Sequence, residues 1–211
     1  MKKGLFITID GPDGCGKSTN AVMLCEYIKR KGYKVVHTYE PGGTAIGEKI
    51  RKILLAPENI ISPEAELLLY EASRAQLVKE IIIPAVKKNR VVVCERFYDA
   101  TTAYQGYGRG LDIEMIKSLN KTASCGVVPD LTIILDIDAE KGLKKAVSVS
   151  KDFKKGVADR LEKESMGFHK KVRAGFLKLA KEEPLRIKVV KVSDTIESTQ
   201  KAVRKEVDRI L

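Results

Sequence analysis

Five short apolar runs alternate along the chain with longer segments of helical periodicity. The runs are rich in β-branched residues and are bounded by turn or charged residues, which is typical of buried parallel strands. They cover residues 5–9, 34–36, 90–94, 131–135 and 187–190. Because strands that alternate with helices pack into layers through right-handed crossovers, the pattern predicts an α/β fold with helices on both faces of a five-stranded parallel sheet.

Apolar residues at helical spacing predict three amphipathic helices. The first follows a glycine-rich loop and ends near Gly32, and the other two lie in the C-terminal part, where we expect their apolar faces to pack on the sheet. The three sets are Ala21, Leu24, Cys25 and Ile28; Phe168, Val172, Phe176 and Leu179; and Ile196, Val203, Val207 and Ile210.

Two further segments have less regular patterns. Residues 65–88 predict a long helical region that a proline should kink or break near its end. Residues 141–155 contain six lysines among serines, valines and a glycine without a steady period, so we expect a mobile, basic excursion there. The positions that mark the first segment are Leu68, Ala72, Ala75 and Val78, followed by Pro84.

A length of 211 residues predicts one domain that covers residues 1–211. Hydrophobic residues make up 44% and charged residues 32%, which excludes disorder and collagen-like structure. The apolar runs fall far short of the roughly 20 residues that cross a bilayer, and the N-terminus does not read as a signal peptide, so we expect a cytoplasmic protein without a membrane partner. The four cysteines form no CxxC pair, which argues against a zinc site and a disulfide framework.

A net charge of +11 suggests an anionic partner. Nucleic acid, an acidic membrane and a nucleotide all fit that charge, so the motifs have to decide between them. A module that binds nucleic acid would lose affinity steeply with salt and would need no mononucleotide acceptor.

The segment Gly11–Ser18 favours a nucleotide. It reads GPDGCGKS and fits G-x-x-x-x-G-K-[ST], between a strand predicted to end at Asp10 and a helix predicted to begin near Lys17. Glycines let backbone N–H groups approach phosphate oxygens, the lysine reaches the β- and γ-phosphates, and the serine hydroxyl coordinates Mg²⁺. The predicted ATP-binding residues are Gly11, Pro12, Asp13, Gly14, Cys15, Gly16, Lys17, Ser18 and Thr19.

A phosphate loop occurs in GTPases, motor ATPases and small-molecule kinases. The fragment NKTA at residues 120–123 lacks the aspartate of the [NT]KxD element that GTPases need, and helicases need far longer chains. A kinase of a small acceptor remains, because 211 residues suit one core with an acceptor cleft and a lid.

Three blocks point to the acceptor. Residues 39–51 follow the second strand with a Pro-Gly-Gly loop, at the sheet edge where ligands bind in open α/β folds. Tyr70 and Arg74 share a helix face on which an aromatic ring stacks on a base and a guanidinium hydrogen-bonds its edge. Glu95 and Arg96 leave the carboxyl end of a strand, where a carboxylate holds Mg²⁺ and an arginine clamps a phosphate.

In order and spacing, these blocks resemble the thymidylate kinase family over nearly the whole chain. The matching motifs are the phosphate loop, EPGGTAIGEKIR, LLLYEASRAQ, ERF, AYQGYGRGLD, VPDLTIILD and ADRLEKES. The resemblance implies a three-layer α/β/α P-loop kinase fold with a small basic lid near residues 141–160. It also implies a homodimer, and transfer of the γ-phosphoryl group from ATP with Mg²⁺ to dTMP, with no nucleic-acid partner.

The resemblance also implies roles for individual residues. Asp13 would bind the 3′-hydroxyl of dTMP, Tyr70 would stack on thymine, and Arg74 would hydrogen-bond the thymine edge. Arg96, with help from Arg51, would hold the acceptor phosphate. The implied metal ligands are Ser18 and Glu95, and the implied substrate-binding residues are Asp13, Glu40, Arg51, Tyr70, Arg74, Arg96, Tyr104 and Gln105.

The chain departs from the family pattern at three of these places. Glu95 stands where an aspartate is usual, Tyr39 where an arginine is frequent, and Ala100 where a serine is common. Because Ala100 makes no side-chain hydrogen bond, a related kinase with a broader pyrimidine acceptor range that includes dUMP stays open as the alternative.

The family's catalytic arginine is missing from both of its usual positions. Gly14 occupies the position of the eukaryotic arginine, and Lys155 occupies that of the bacterial one, shortly before Asp159 and Arg160. We hypothesise that lid lysines, chiefly Lys155, together with Arg160 screen the charge that develops on the transferred phosphoryl group. The predicted catalytic residues are Lys17, Arg96, Lys155 and Arg160.

Overall fold

Five strands form one parallel sheet in the computed structural model, which describes residues 3–152 and 159–211. Their order across the sheet is β2-β3-β1-β4-β5, and each neighbouring pair runs parallel. The strands are β1 (Leu5–Asp10), β2 (Val35–Tyr39), β3 (Val91–Glu95), β4 (Leu131–Asp136) and β5 (Ile187–Lys191). The predicted five-stranded parallel sheet is confirmed. The strand bounds lie within one residue of the predicted ones, except that β2 ends three residues later than predicted.

Helices connect the strands on both faces of the sheet. They are α1 (Lys17–Arg30), α2 (Ala45–Leu55), α3 (Pro63–Leu77), α4 (Ile83–Lys87), α5 (Tyr98–Thr101), α6 (Ile113–Ala123), α7 (Ala139–Asp152), α8 (Met166–Glu182) and α9 (Ile196–Val207). Two π-helical segments, Val78–Ile82 and Thr102–Gly108, continue α3 and α5. Among the described residues, no helix is both long and apolar enough to cross a membrane.

The two faces of the sheet carry separate cores because alternate residues of each strand point to opposite sides. On one side, Ile7 and Ile9 pack with apolar residues of α1 and α9, including Val203 and Val207. On the other side, Phe6 packs with residues of α3 and the π-helical segment that follows it, and α8 buries its apolar face beside β4. The three-layer arrangement is therefore confirmed.

The predicted apolar faces of the C-terminal helices are nearly all buried. Phe168, Val172, Phe176 and Leu179 lie in the core, as do Val203 and Val207. Two residues are exceptions. Ile196 begins α9 and is 50% exposed, and Ile210 lies beyond the end of α9 and is only half-buried.

Helix α3 buries a different face from the one that its apolar positions predict. Leu68 is 56% exposed and Ala72 is also exposed, whereas the opposite face buries Glu66, Tyr70 and Arg74. Ion pairs and hydrogen bonds satisfy the charged groups on this buried face, so polar pairing sets the orientation of the helix. Downstream, the predicted distortion near Pro84 is confirmed, because a π-helical segment ends and α4 begins just before that residue.

Residues 139–152 form helix α7, so most of the segment 141–155, for which the sequence predicts a mobile, basic excursion, is helical. Asp138 accepts hydrogen bonds from the backbone N–H groups of Glu140 and Lys141, which caps the helix start. The first turn also packs on the phosphate loop, since a β-carbon at Gly142 would lie 2.5 Å from the carbonyl oxygen of Asp13. Lys155 lies outside the described residues.

Candidate active site

The phosphate loop lies between β1, which ends at Asp10, and α1, which begins at Lys17, as predicted. Gly14 and Gly16 have φ values of +70° and +86°, a backbone conformation that favours glycine. Within the described part of the chain, no side chain caps the start of α1. The N-terminal N–H groups of this helix are therefore available to an anion.

The ammonium group of Lys17 folds back over this loop. It donates hydrogen bonds to the carbonyl oxygens of Gly11 at 3.2 Å and Pro12 at 2.9 Å, and it lies 3.9 Å from Asp13 Oδ1. These partners hold a positive charge at the mouth of the loop, where a phosphate would compete for it.

Ser18, Glu95 and His37 form a chain of hydrogen bonds beside the loop. Ser18 Oγ donates to Glu95 Oε2 at 2.5 Å, and His37 Nε2 lies 2.9 Å from Glu95 Oε1. Burial raises the pKa of Glu95, but the hydrogen bonds from His37 and Ser18 outweigh this effect and hold that pKa below its usual range. The sequence analysis singled out Ser18 and Glu95 but missed His37, since its role depends on the pairing of β2 with β3.

Arg96 joins the phosphate loop to the neighbouring helices. Its NH2 group lies 2.5 Å from Asp13 Oδ1 and 3.1 Å from the hydroxyl of Tyr104, which in turn donates to Asp13 Oδ2 at 2.8 Å. Burial raises the pKa of Asp13, but the positive charges of Arg96 and Lys17 outweigh it and lower that pKa below its usual range. Asp13 is therefore a charged acceptor at the edge of the loop.

Arg74 is almost fully buried, and each of its three nitrogens has a partner. Nε and NH2 lie 3.0 and 2.9 Å from Glu40 Oε2, and NH1 donates to Glu71 at 2.7 Å and to Asn120 at 2.8 Å. NH2 also donates to Thr101 Oγ1 at 2.7 Å. The guanidinium thus clamps α3 to the start of the Pro-Gly-Gly loop and to α5 and α6.

Three buried carboxyl groups near these residues have unpaired oxygens. Neither oxygen of Asp10, nor Oε1 of Glu40, nor Oε2 of Glu71 has a hydrogen-bond partner among the described residues. Burial, with the nearby negative charge of Asp99, raises the pKa of Asp10 to about 7, and burial likewise raises the pKa of Glu40 to about 7. Asp10 was not among the site residues predicted from the sequence. Its place at the end of a buried strand was the signal that could have identified it.

A cavity of about 640 Å³ lies beside the phosphate loop, and its lining includes Glu40 but neither Asp10 nor His37. Its size is typical of small-ligand sites. The structure brings together Asp13, Lys17, Ser18, Glu40, Arg51, Tyr70, Arg74, Glu95, Arg96, Tyr104 and Gln105, all of which the sequence analysis singled out. Tyr39 and Ala100, two of the departures from the family pattern, also lie in the wall.

Arg160 lies behind this wall rather than in its described lining. Its NH1 group lies 2.5 Å from Glu66 Oε2, and Nε donates to the carbonyl oxygen of Leu54 at 2.9 Å. Glu66 is fully buried and also accepts hydrogen bonds from Gln105 and Arg109. The sequence analysis missed this shared carboxylate because its partners are distant along the chain.

In residues 3–152 and 159–211, no group of three or more His, Cys, Asp and Glu side chains is placed to hold a metal ion. Ser18 and Glu95 nevertheless offer two adjacent oxygen ligands, a hydroxyl and a carboxylate. Mg²⁺ in kinases takes few protein ligands because phosphate oxygens and water complete its coordination. The donor set therefore fits Mg²⁺ that arrives with a nucleotide.

A phosphate loop after the first strand of this sheet, with a polar cavity beside it, is typical of P-loop kinases of small acceptors. The family model described as Thymidylate kinase matches residues 9–203. The chain belongs to the thymidylate kinase family.

Individual relatives agree with this assignment. The thymidylate kinase of Thermoanaerobacter sp. (strain X514) is 50% identical over 184 residues, which cover 87% of each chain. That of Caldanaerobacter subterraneus subsp. tengcongensis is 45% identical over 209 residues, 99% of this chain and 97% of the relative. A crystal structure of thymidylate kinase from Ehrlichia chaffeensis matches with a TM-score of 0.79 at 32% identity, covering 97% of this chain and 99% of that chain.

These findings confirm the predicted fold and the predicted enzyme class, an ATP-dependent nucleoside monophosphate kinase. The alternative with a broader pyrimidine acceptor range is not favoured by them.

Proposed function

We propose that the protein transfers the γ-phosphoryl group of ATP to dTMP, with the ATP phosphates on Gly11–Ser18 and dTMP in the adjoining cavity. The contact of Arg96 with Asp13, at 2.5 Å, is the observation that carries this proposal. It makes one residue of the phosphate loop part of the acceptor site, so donor and acceptor meet there. Holding two nucleotides in line supplies most of the catalysis in such reactions.

The cavity wall offers groups for each part of dTMP. We assign the 5′-phosphate to Arg96 and Arg51, and the 3′-hydroxyl to the Asp13 carboxylate. Tyr70 is buried against the cavity, and we assign its ring to stacking on thymine. Gln105 completes the base pocket, held by its hydrogen bond to Glu66 at 2.7 Å.

Arg74 has to exchange a partner to contact the base edge. Each of its three nitrogens already has an oxygen partner within 3.0 Å. Thr101 is the partner that we expect to yield, because it lies in the cavity wall and is a neutral acceptor, whereas Glu40 and Glu71 are carboxyl groups.

Mg²⁺ would be held by Ser18 and Glu95, and it would neutralise charge on the phosphate oxygens of ATP. The chain's own residues do the remaining work in this proposal. Lys17 shifts from the loop carbonyls to the phosphates, and Arg96 holds the acceptor phosphate against them.

We propose that residues 141–160 form the small basic lid and that the lid belongs to the single domain. Lys155 and Arg160 are proposed to screen charge on the transferred group. Arg160 would first have to leave Glu66, which the structure places at ion-pair distance from it. The NH2 group of Arg160 is buried and has no hydrogen-bond partner among the described residues. The guanidinium therefore has an unused donor in this position, which supports the proposed movement.

We further propose a homodimer. Exposed apolar side chains on two adjacent helices, Ile46 and Ile53 on α2 and Leu68 on α3, with exposures of 51%, 46% and 56%, support it. Light scattering after size exclusion should give twice the chain mass. The cytoplasmic location expected from the sequence stays a prediction.

A coupled assay of ADP release tests the reaction. ATP and Mg²⁺ are supplied with dTMP, dUMP, dCMP, dGMP, UMP or CMP as separate acceptors. We expect strong turnover with dTMP and weak turnover with the others. ADP release that ignores every acceptor would contradict the proposal, and comparable turnover with dUMP would revive the broader kinase.

A further inference from the structure

His37 is a residue near the phosphate loop to which no role has yet been assigned. It lies on the edge strand β2, and its side chain is 33% exposed. Residue 37 pairs with residue 93 of β3, and residue 39 pairs with Glu95. His37 and Glu95 are therefore on the same face of the sheet and diagonal to each other.

The hydrogen bond between these residues has a defined direction. An ionised carboxylate only accepts hydrogen bonds. The Nε2 atom of His37, 2.9 Å from Oε1, is therefore the donor.

The two oxygens of Glu95 are held by different partners. Ser18 binds Oε2 and His37 binds Oε1. A cation that engages Ser18 and Glu95 competes with the first of these hydrogen bonds but leaves the second one intact. A glutamate has one more rotatable bond than an aspartate, so this carboxylate needs an additional contact to stay in one orientation.

We propose that His37 is a positioning residue that orients the Glu95 carboxylate for the divalent cation of the bound nucleotide. This inference rests on the proposed assignment of Ser18 and Glu95 as metal ligands. His37 acts through Glu95 and does not itself touch the nucleotide. Partners that orient metal ligands in this way change metal affinity by about 10- to 100-fold when they are replaced.

Mn²⁺ binding, followed by electron paramagnetic resonance, tests the proposal directly. The full-length protein is saturated with a non-hydrolysable ATP analogue, and bound Mn²⁺ is titrated in the wild type, His37→Leu and His37→Gln. We expect His37→Leu to weaken Mn²⁺ binding by about 10-fold or more, and His37→Gln to restore most of it because the amide keeps a donor. Equal affinities in His37→Leu and the wild type would overturn the proposal, as would a His37→Gln variant as weak as His37→Leu.

Two further variants separate this inference from the metal assignment itself. Glu95→Gln should weaken Mn²⁺ binding whatever His37 does, so unchanged binding in Glu95→Gln would overturn the assignment and the inference together. A loss in Glu95→Gln without a loss in His37→Leu would overturn the inference alone.

A Glu95→Asp background gives a second control. We expect the shorter side chain to lie out of reach of position 37, so His37→Leu should then change the Mn²⁺ affinity little. The same loss in both backgrounds would show that His37 acts elsewhere, and thermal unfolding checks that each variant is folded.

Discussion

Gly14 of the phosphate loop and Gly142 of α7 are in backbone contact, because a β-carbon at Gly14 would collide with the carbonyl oxygen of Gly142. The φ of Gly14 is also +70°, which disfavours any other residue. The start of the proposed lid is thus packed directly on the loop that is proposed to hold ATP. A side chain at position 14, such as the arginine of the eukaryotic pattern, would not fit against this contact.

The contact predicts that Gly14→Ala harms both stability and activity. A residue with a β-carbon in this conformation costs about 1–2 kcal/mol, and the collision adds to that cost by displacing α7. Gly126→Ala is the matched control, since its φ is +73° but no described atom lies within 4 Å of a β-carbon there. Urea denaturation should show a larger loss for Gly14→Ala, and a loss equal to that of Gly126→Ala would contradict the packing argument.

Lys155 provides a test of the missing arginine. If it screens the transferred phosphoryl group, Lys155→Ala should lower kcat by about 100-fold with little change in the KM for ATP. Lys155→Arg should raise kcat, because a guanidinium contacts two phosphate oxygens at once. Lys163→Ala, at an exposed position nearby, serves as the control. An unchanged kcat in Lys155→Ala would remove the residue from the mechanism.

Arg74 is expected to stabilise the fold as well as the site. Arg74→Met leaves Glu40 and Glu71 without their shared cation, and breaking a buried ion pair in this way costs about 3–5 kcal/mol. Gln76→Ala on the same helix should change the free energy of unfolding by less than about 0.5 kcal/mol. Chemical denaturation compares the two variants, and similar losses would mean that the Arg74 network contributes little.

Asp10 predicts a pH dependence of stability. Its pKa is raised from 3.8 to about 7 in the folded protein, mainly by burial, so the folded state binds a proton more tightly than the unfolded state. The stability that this group contributes is then fully present below about pH 4 and is lost as the pH rises through about 7. Asp10→Asn, which cannot ionise, should therefore gain stability relative to the wild type between pH 5 and pH 8. A difference in unfolding free energy that is the same at both pH values would contradict this account.

Much of the architecture was predictable because buried parallel strands read as β-branched runs, and the helices that cover them keep an apolar period. Helix α7 was not predicted because its many lysines favour a solvated segment. Its apolar positions nevertheless share one face, and Ala139 and Ala146, seven residues apart, are both buried. The exposed side of α3 was misjudged because charged residues such as Glu66 and Arg74 are buried by pairing with partners far along the chain.

The residues of the site likewise divide into those that a local pattern predicts and those whose role depends on the fold. Residues in a local motif, such as Lys17 and Ser18, could be singled out from spacing alone. His37 and Glu66 could not, because their contacts depend on which strands and helices become neighbours.

The central claim is that the phosphate loop itself recognises the acceptor through Asp13. Values of kcat/KM for dTMP and for 3′-deoxy-dTMP, measured with the wild type and Asp13→Asn, test it most directly. The wild type should lose about 10- to 100-fold without the 3′-hydroxyl, as expected for a hydrogen bond to a charged group, and Asp13→Asn should lose much less. Equal losses in both proteins would place the 3′-hydroxyl elsewhere and contradict the account.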